Sequence, residues 1–207
     1  MRLSIPTYLL ICFAHTIVAQ KVIRKTIVQP HTQFIQIDTK NCYRTDFYTV
    51  AGNELKVQAS IEGEYAKDLV VKIEEDGANV RVSADFLPNF IAPNDKLSAH
   101  KVISISLHIT VPEYSDLSVY GTNCRVTGSG QFRSLNVTLA DGDCILSTKS
   151  ETTTIKTQSG NITVHATEGK IEGKSIYGTV NIAKLPEGDL SYVLQSIEGD
   201  IVVNNTK

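Results

Sequence analysis

The sequence predicts an all-β protein: a parallel β-helix or β-solenoid-like set of C-terminal repeats, preceded by a β-rich, partly antiparallel N-terminal half. Three observations predict it. Apolar and polar residues alternate along segment after segment, which is the period of strands with one buried face. A glycine followed by a polar residue and an alternating apolar pair recurs at Gly142 (Cys144, Leu146), Gly160 (Ile162, Val164), Gly178 (Val180, Ile182) and Gly199 (Ile201, Val203). With Thr122 in the glycine position ahead of Cys124 and Val126, these units repeat every 18 to 21 residues, an interval that suits stacked strands joined by tight corners.

At the N-terminus, residues 1–19 (MRLSIPTYLLICFAHTIVA) combine Arg2, an apolar run from Tyr8 to Ala14 and the small Ala19 before Gln20. This is the pattern of a secretory signal peptide cut after Ala19, and it predicts an exported protein: periplasmic, on the outer cell surface or secreted. The run is shorter than the roughly 20 apolar residues that span a bilayer, and no later segment is apolar enough to do so. Cys12 follows Leu9-Leu10-Ile11, without the small residue that lipoprotein cleavage needs. The expected mature chain, 20–207, is a single domain with a β-rich half at 20–115 and repeated rungs at 116–207. A formal net charge of −2, with both signs interspersed, argues against nucleic acid as a partner.

From Phe34 to Ala84 the strands read "FIQID", "DFYTV", "LKVQASI", "LVVKI" and "VRVSA", with turns at 51–53 and 76–79. They are expected to pair partly antiparallel and to cover the first rung. The next segment, "DFLPNFIAPNDKLSAHK", has two prolines and no clean period. Within it Asn94, Asp95, Lys96, Ser98, His100 and Lys101 gather donors, acceptors and both charge signs in eight residues. They form either a ligand or partner contact, or a cap that satisfies the backbone of the strands beneath. In "KVISISLHITVP", Ile103, Ile105, Leu107, Ile109 and Val111 face one way and Ser104, Ser106, His108 and Thr110 the other, and Pro112 closes the strand.

In the repeats, each glycine unit has an earlier alternating piece: Leu117/Val119, Leu135/Val137/Leu139, Ile155, Ile171 and Leu190/Tyr192/Leu194. The units are expected to stack in chain order, with "AKLPEG" bulging from one corner. Cys124 and Cys144, in the same place after their corners, are expected to lie ~5 Å apart as a stacked, unbridged pair. Leu190 to Val203 becomes the open end of the stack, where a weak homo-oligomer would form through the C-terminal rung. Outward Thr and Ser residues supply β-propensity and solubility, or a flat polar shelf for a glycan.

"IEGEYAKDLVVKIEEDG", "NDKLSAHKVISISLHITVPEY", "LNVTLADGDC" and "KTQSGNITV" together resemble the putative-adhesin families of bacteria, short secreted or envelope β-solenoid proteins. The resemblance covers most of residues 34–203 and implies a surface interaction or scaffold role, with a cell-surface glycan or an envelope protein as partner.

Catalytic and metal chemistry finds little support. Asp141, Asp143, Glu198 and Asp200 flank the corner glycines, but no repeat stacks carboxylate, Arg and Lys together as a polysaccharide-cleaving site would. Single Gly-Asp pairs do not make the calcium-binding nonapeptide, and His31, His100, His108 and His165 lack metal-site spacing. No cofactor is implied. The three Asn-x-Thr triplets, at Asn136, Asn161 and Asn204, read as strand residues. The expectation is a non-enzymatic module, and the alternative is a polysaccharide-binding or polysaccharide-cleaving β-helix.

Overall fold

The computed structural model describes residues 21–28, 34–63, 65–91 and 103–206. Its strands are β1 (Lys21–Val28), β2 (Phe34–Asp38), β3 (Arg44–Val50), β4 (Glu54–Gly63), β5 (Leu69–Asp76), β6 (Asn79–Phe86), β7 (Ile103–Pro112) and β8 (Asp116–Gly121). They continue with β9 (Arg125–Leu139), β10 (Cys144–Thr157), β11 (Ile162–Ala166), β12 (Lys170–Ser175), β13 (Val180–Ile182), β14 (Ser191–Ser196) and β15 (Ile201–Asn205). One 3-10 turn, Ala66–Asp68, precedes β5, and the described residues contain no α-helix. The protein is all-β, as the alternation requires.

All the strands belong to one mixed sheet. One path runs β1-β4-β7-β3-β9-β10-β11-β15-β13, and the other runs β5-β6-β2-β8-β9-β10-β14-β12. The long strands β9 and β10 belong to both, because each passes through a corner and continues on the second path. The pairs β1/β4, β4/β7 and β5/β6 are antiparallel and the others are parallel. Antiparallel pairing is therefore confined to the N-terminal strands. The ladders also run unbroken across residue 115, since β2 pairs β8 and β3 pairs β9.

The core lies between the two paths and is built from ladder columns. On one side Ile37, Val119, Val137, Ile155 and Leu194 follow one another across β2, β8, β9, β10 and β14, all fully buried. On the other, Leu146, Val164 and Val203 align across β10, β11 and β15. Each such side chain contributes roughly 1.5–3 kcal/mol relative to an exposed one. The Phe47 ring meets Phe132 edge-on at 5.6 Å, and buried Tyr192 crosses the interior to donate its hydroxyl to the Thr148 carbonyl at 3.2 Å.

Two expectations about the stack are corrected. A parallel β-helix with rungs in chain order does not form: β10 pairs with β14 and β11 with β15, so the last unit in sequence lies inside the stack and β12/β13 lie at its edge. The physical reason is interior quality. The inward residues of β14/β15 are Tyr192, Leu194, Ser196, Ile201 and Val203, all buried, whereas those of β12 are Ile171, Gly173 and Ser175. The unit with more apolar surface takes the place covered on both sides. The C-terminal rung is accordingly not a free end, and Val203 is buried at 2 % exposure.

The second correction concerns register. Cys144 faces Val126, and Gly142 lies over Cys124, so the corner of that unit is at Cys124, two residues beyond Thr122. Cys124 and Cys144 are not ladder partners. A two-residue shift leaves the inward and outward sets unchanged, so alternation alone does not distinguish the two registers.

Candidate interaction surface

The corners explain the repeated glycine and the polar residue after it. A Cβ on Gly142 would stand 1.9 Å from the Cys124 carbonyl oxygen, on Gly160 2.0 Å from that of Gly142, on Gly199 2.1 Å from that of Gly160, and on Gly178 2.3 Å from that of Gly199. Neighbouring corners approach too closely for any side chain. The residue after each glycine then ties one unit to the next. Asp143 Oδ1 accepts the Asn161 N–H at 3.1 Å, Asn161 Oδ1 accepts the Asp200 N–H at 2.9 Å, and Asp200 Oδ1 accepts the N–H and Oγ–H of Thr179 at 2.7 and 2.9 Å. The two Thr179 hydrogen bonds hold the Asp200 carboxyl below the ordinary carboxylate range.

This ladder also fixes the role of the carboxylates that flank the corners. Asp143 Oδ2 takes the Arg125 guanidinium at 3.2 Å, and Asp141 Oδ1 takes the Ser159 hydroxyl at 2.6 Å. Asp141, Asp143 and Asp200 are corner braces.

The outer face of β2, β8, β9 and β10 is a polar shelf. In register across it run half-buried Gln36, Asn136 and Thr154, with buried Ser118 between the first two, and Asp38, Tyr120, Thr138 and Lys156 form the neighbouring row. Asn136 and Thr138, which belong to one Asn-x-Thr triplet, are outward strand residues there. Tyr120 is 42 % exposed, an aromatic platform among amides and hydroxyls. Beside it, the β2–β3 turn and the outer face of β5 and β6 enclose a polar cleft of about 250 Å³ lined by Asp38, Lys40, Asn41, Lys72, Arg81 and Asp85. Lys72 pairs with Asp85 at 3.3 Å, and Asn41 Nδ2 donates to the Ala84 carbonyl at 3.0 Å. Both charge signs and several hydroxyls and amides thus converge on one face. On the opposite path, the single Arg44 Nε–H is shared between Asp46 Oδ2 and Oδ1, at 2.8 and 3.1 Å, and Asp46 Oδ2 lies 3.2 Å from His108 Nδ1.

Asn94, Asp95, Lys96, Ser98, His100 and Lys101, the contact residues expected from the sequence, lie outside the described residues. The shelf and cleft come instead from strands far apart in sequence, β2 pairing β8 across 82 residues and β6 across 45, whose register the sequence does not disclose; the Thr and Ser excess at outward positions was the available signal. Among the described residues no group of three or more His, Cys, Asp or Glu side chains could hold a metal ion, and no helix is long and apolar enough to cross a membrane. Cys42, Cys124 and Cys144 are free and buried. Burial pushes all three thiols up, and Cys124 rests against Thr45 Oγ1 at 3.4 Å.

No family model and no curated protein matches the chain. Solved structures do. A protein from Clostridium sporogenes, described as a putative cell adhesion protein, superposes over 91 % of this chain and 100 % of its own with a TM-score of 0.63 at 14 % identity. Two proteins described as putative adhesins, from Bacteroides fragilis and Parabacteroides merdae, align over 91 % and 90 % of the chain at 11 % and 12 % identity, each with a TM-score of 0.36. The Clostridium protein shares the fold.

Proposed function

We propose that the chain is an exported, non-enzymatic surface-interaction module, whose parallel ladders act as a solenoid-like scaffold presenting the shelf around Tyr120 to a cell-surface glycan. The observation that carries this reading is the array of amides and hydroxyls beside an exposed tyrosine. A tyrosine ring buries the apolar face of a sugar while neighbouring Gln36, Asn136 and Thr138 exchange hydrogen bonds with its hydroxyls. The shared fold of a protein described as a cell adhesion protein supports the same role, and the signal-like residues 1–19 support export. An envelope protein is the second partner class the polar cleft would fit. A polysaccharide-cleaving role is less well supported, because Asp141, Asp143 and Asp200 are engaged as corner braces.

A glycan array probed with residues 20–207, alongside binding to intact bacterial cells, tests the reading. Binding that is lost in Tyr120→Ala, with the fold intact by circular dichroism, is the expected result. Absence of binding to both, or binding indifferent to Tyr120, would remove the shelf from consideration.

A further inference from the structure

We propose that the β12/β13 edge is the interface of a twofold-symmetric dimer, in which β12 pairs antiparallel with β12 of a second copy about an axis through Gly173. The inference is independent of the ligand reading above. The Lys170 N–H is donated to the Leu190 carbonyl and the Ile176 N–H to the Ser196 carbonyl, so the even-numbered residues of β12 turn their backbone towards β14. The N–H and C=O groups of Ile171, Gly173 and Ser175 therefore point to the open edge. On β13, the Thr179 carbonyl and the Ala183 N–H are taken by β15, which leaves the backbone of Val180 and Ile182 on the edge. Among the described residues no strand pairs with either edge. The side chains of Val180 and Ile182, though directed inward, remain 41 % and 39 % exposed because no further unit covers them.

The sequence of β12 selects a second copy as the occupant. In an antiparallel pair centred on Gly173, the edge-facing residues meet as hydrogen-bonded pairs: Gly173 with Gly173 and Ile171 with Ser175. On the outer face, Glu172 then stands opposite the second copy's Lys174, and Lys174 opposite its Glu172. Neither side chain has an ion-pair partner among the described residues. Centring the pair on Glu172 would oppose Glu172 to itself, and centring it on Lys174 would oppose two lysines; odd shifts would face an edge-directed residue with one turned away. Centring it on Ile171 would also match backbone and set Lys170 against Glu172, but it would pair only Lys170 to Glu172; the Gly173 register matches backbone and charge over Ile171 to Ser175, nearly the whole strand.

The same axis also serves β13. The Cβ position of Gly173 lies 3.3 Å from Val180 Cγ1 and 3.0 Å from Ile182 Cδ1, so Gly173 faces the middle of β13. A twofold axis through Gly173 therefore passes near Asn181 and sets Val180 against the second copy's Ile182. One operator pairs both edges and closes the apolar cross-section. At the far end, among the described residues, the β5 edge is partly covered by lysines of β1, because Lys21 Nζ donates to the Leu69 carbonyl and Lys25 Nζ to the Val71 carbonyl, each at 2.8 Å.

Sedimentation velocity on the chain from residue 20 tests the proposal with four proteins: the native sequence, E172K, K174E and the double swap E172K/K174E. The native protein should dimerise. Each single variant places like charges opposite one another twice per dimer and should weaken association by about tenfold or more, with circular dichroism unchanged because both positions are exposed. The double swap should restore dimerisation, and a mixture of the two single variants should form the heterodimer that neither forms with itself. A native protein that stays monomeric to about 1 mM, or a dimer indifferent to both single substitutions, would overturn the proposal. Slow amide exchange at Gly173 and Ile182 in a monomer would overturn it too, by showing that the chain covers its own edge.

Discussion

Replacing Gly160 with alanine probes the corner stack most directly. The added Cβ would fall 2.0 Å from the Gly142 carbonyl oxygen and 2.5 Å from its carbon, both backbone atoms with no rotamer to retreat into. Relief to ordinary contact requires the two corners to part by more than about 1 Å, beyond the range in which a hydrogen bond survives. Three bonds are at stake: Gln158 and Ser159 N–H to the Ala140 carbonyl, each 2.9 Å, and Asn161 N–H to Asp143 Oδ1 at 3.1 Å. At about 1 kcal/mol each, Gly160→Ala should cost about 3 kcal/mol. Gly77→Ala is the control. Gly77 has φ +60° with nothing within 4 Å of its Cβ position, so only the left-handed backbone is penalised, by about 1 kcal/mol. Urea unfolding of both variants measures the difference. Equal losses, or a Gly160→Ala cost below about 1.5 kcal/mol, would show that the corners do not depend on close backbone approach.

Tyr192→Phe should lower stability by about 1 kcal/mol, since it deprives the buried Thr148 carbonyl of its 3.2 Å donor; chemical denaturation measures it. The buried thiols give the protein an alkaline limit. Their folded pKa values are raised by burial, so their contribution is fully present below the unfolded value of about 8.5 and is lost as pH rises above it, at up to about 1.4 kcal/mol per pH unit for each thiol. Cys144→Ala should flatten that slope in unfolding curves taken between about pH 9 and 10.5. At the acid end, Asp200 has a lowered pKa, so its bracing of Thr179 persists below the ordinary carboxylate range and fails as pH falls through the folded value; amide exchange at Thr179, followed by NMR, should lose its protection only below that range.

The strands were legible because alternation survives in nearly every one of them, from Ile35/Ile37 to Ile201/Val203. The corners were legible because a glycine was needed wherever backbone met backbone. Stack order was not read, although the signal was present: Lys170 to Ser175 offers Ile171, Gly173 and Ser175 to the interior, too little apolar surface for a position covered on both sides. The register at Cys124 escaped because a two-residue slip preserves alternation. The shelf around Tyr120 depends on which strands become neighbours, information held in long-range pairings such as Asp38 with Tyr120. The segment Asn94 to Lys101 lies outside the described residues.

The interleaving of the last unit gives the fold a clock. Residues 170–182 leave the ribosome before residues 191–205, yet they dock on β14 and β15, strands that do not yet exist when they emerge. During synthesis the vacant side of β10 and β11 is therefore offered first to the wrong unit, whose residues have the same alternation. Its thin interior, with Ile171 and Gly173 where β14 supplies Tyr192 and Leu194, makes that early pairing shallow and easily displaced. The weak unit is in this sense a placeholder. It can let go when the stronger one arrives, and a richer sequence at Ile171 to Ser175 would stabilise the finished edge while trapping the nascent chain.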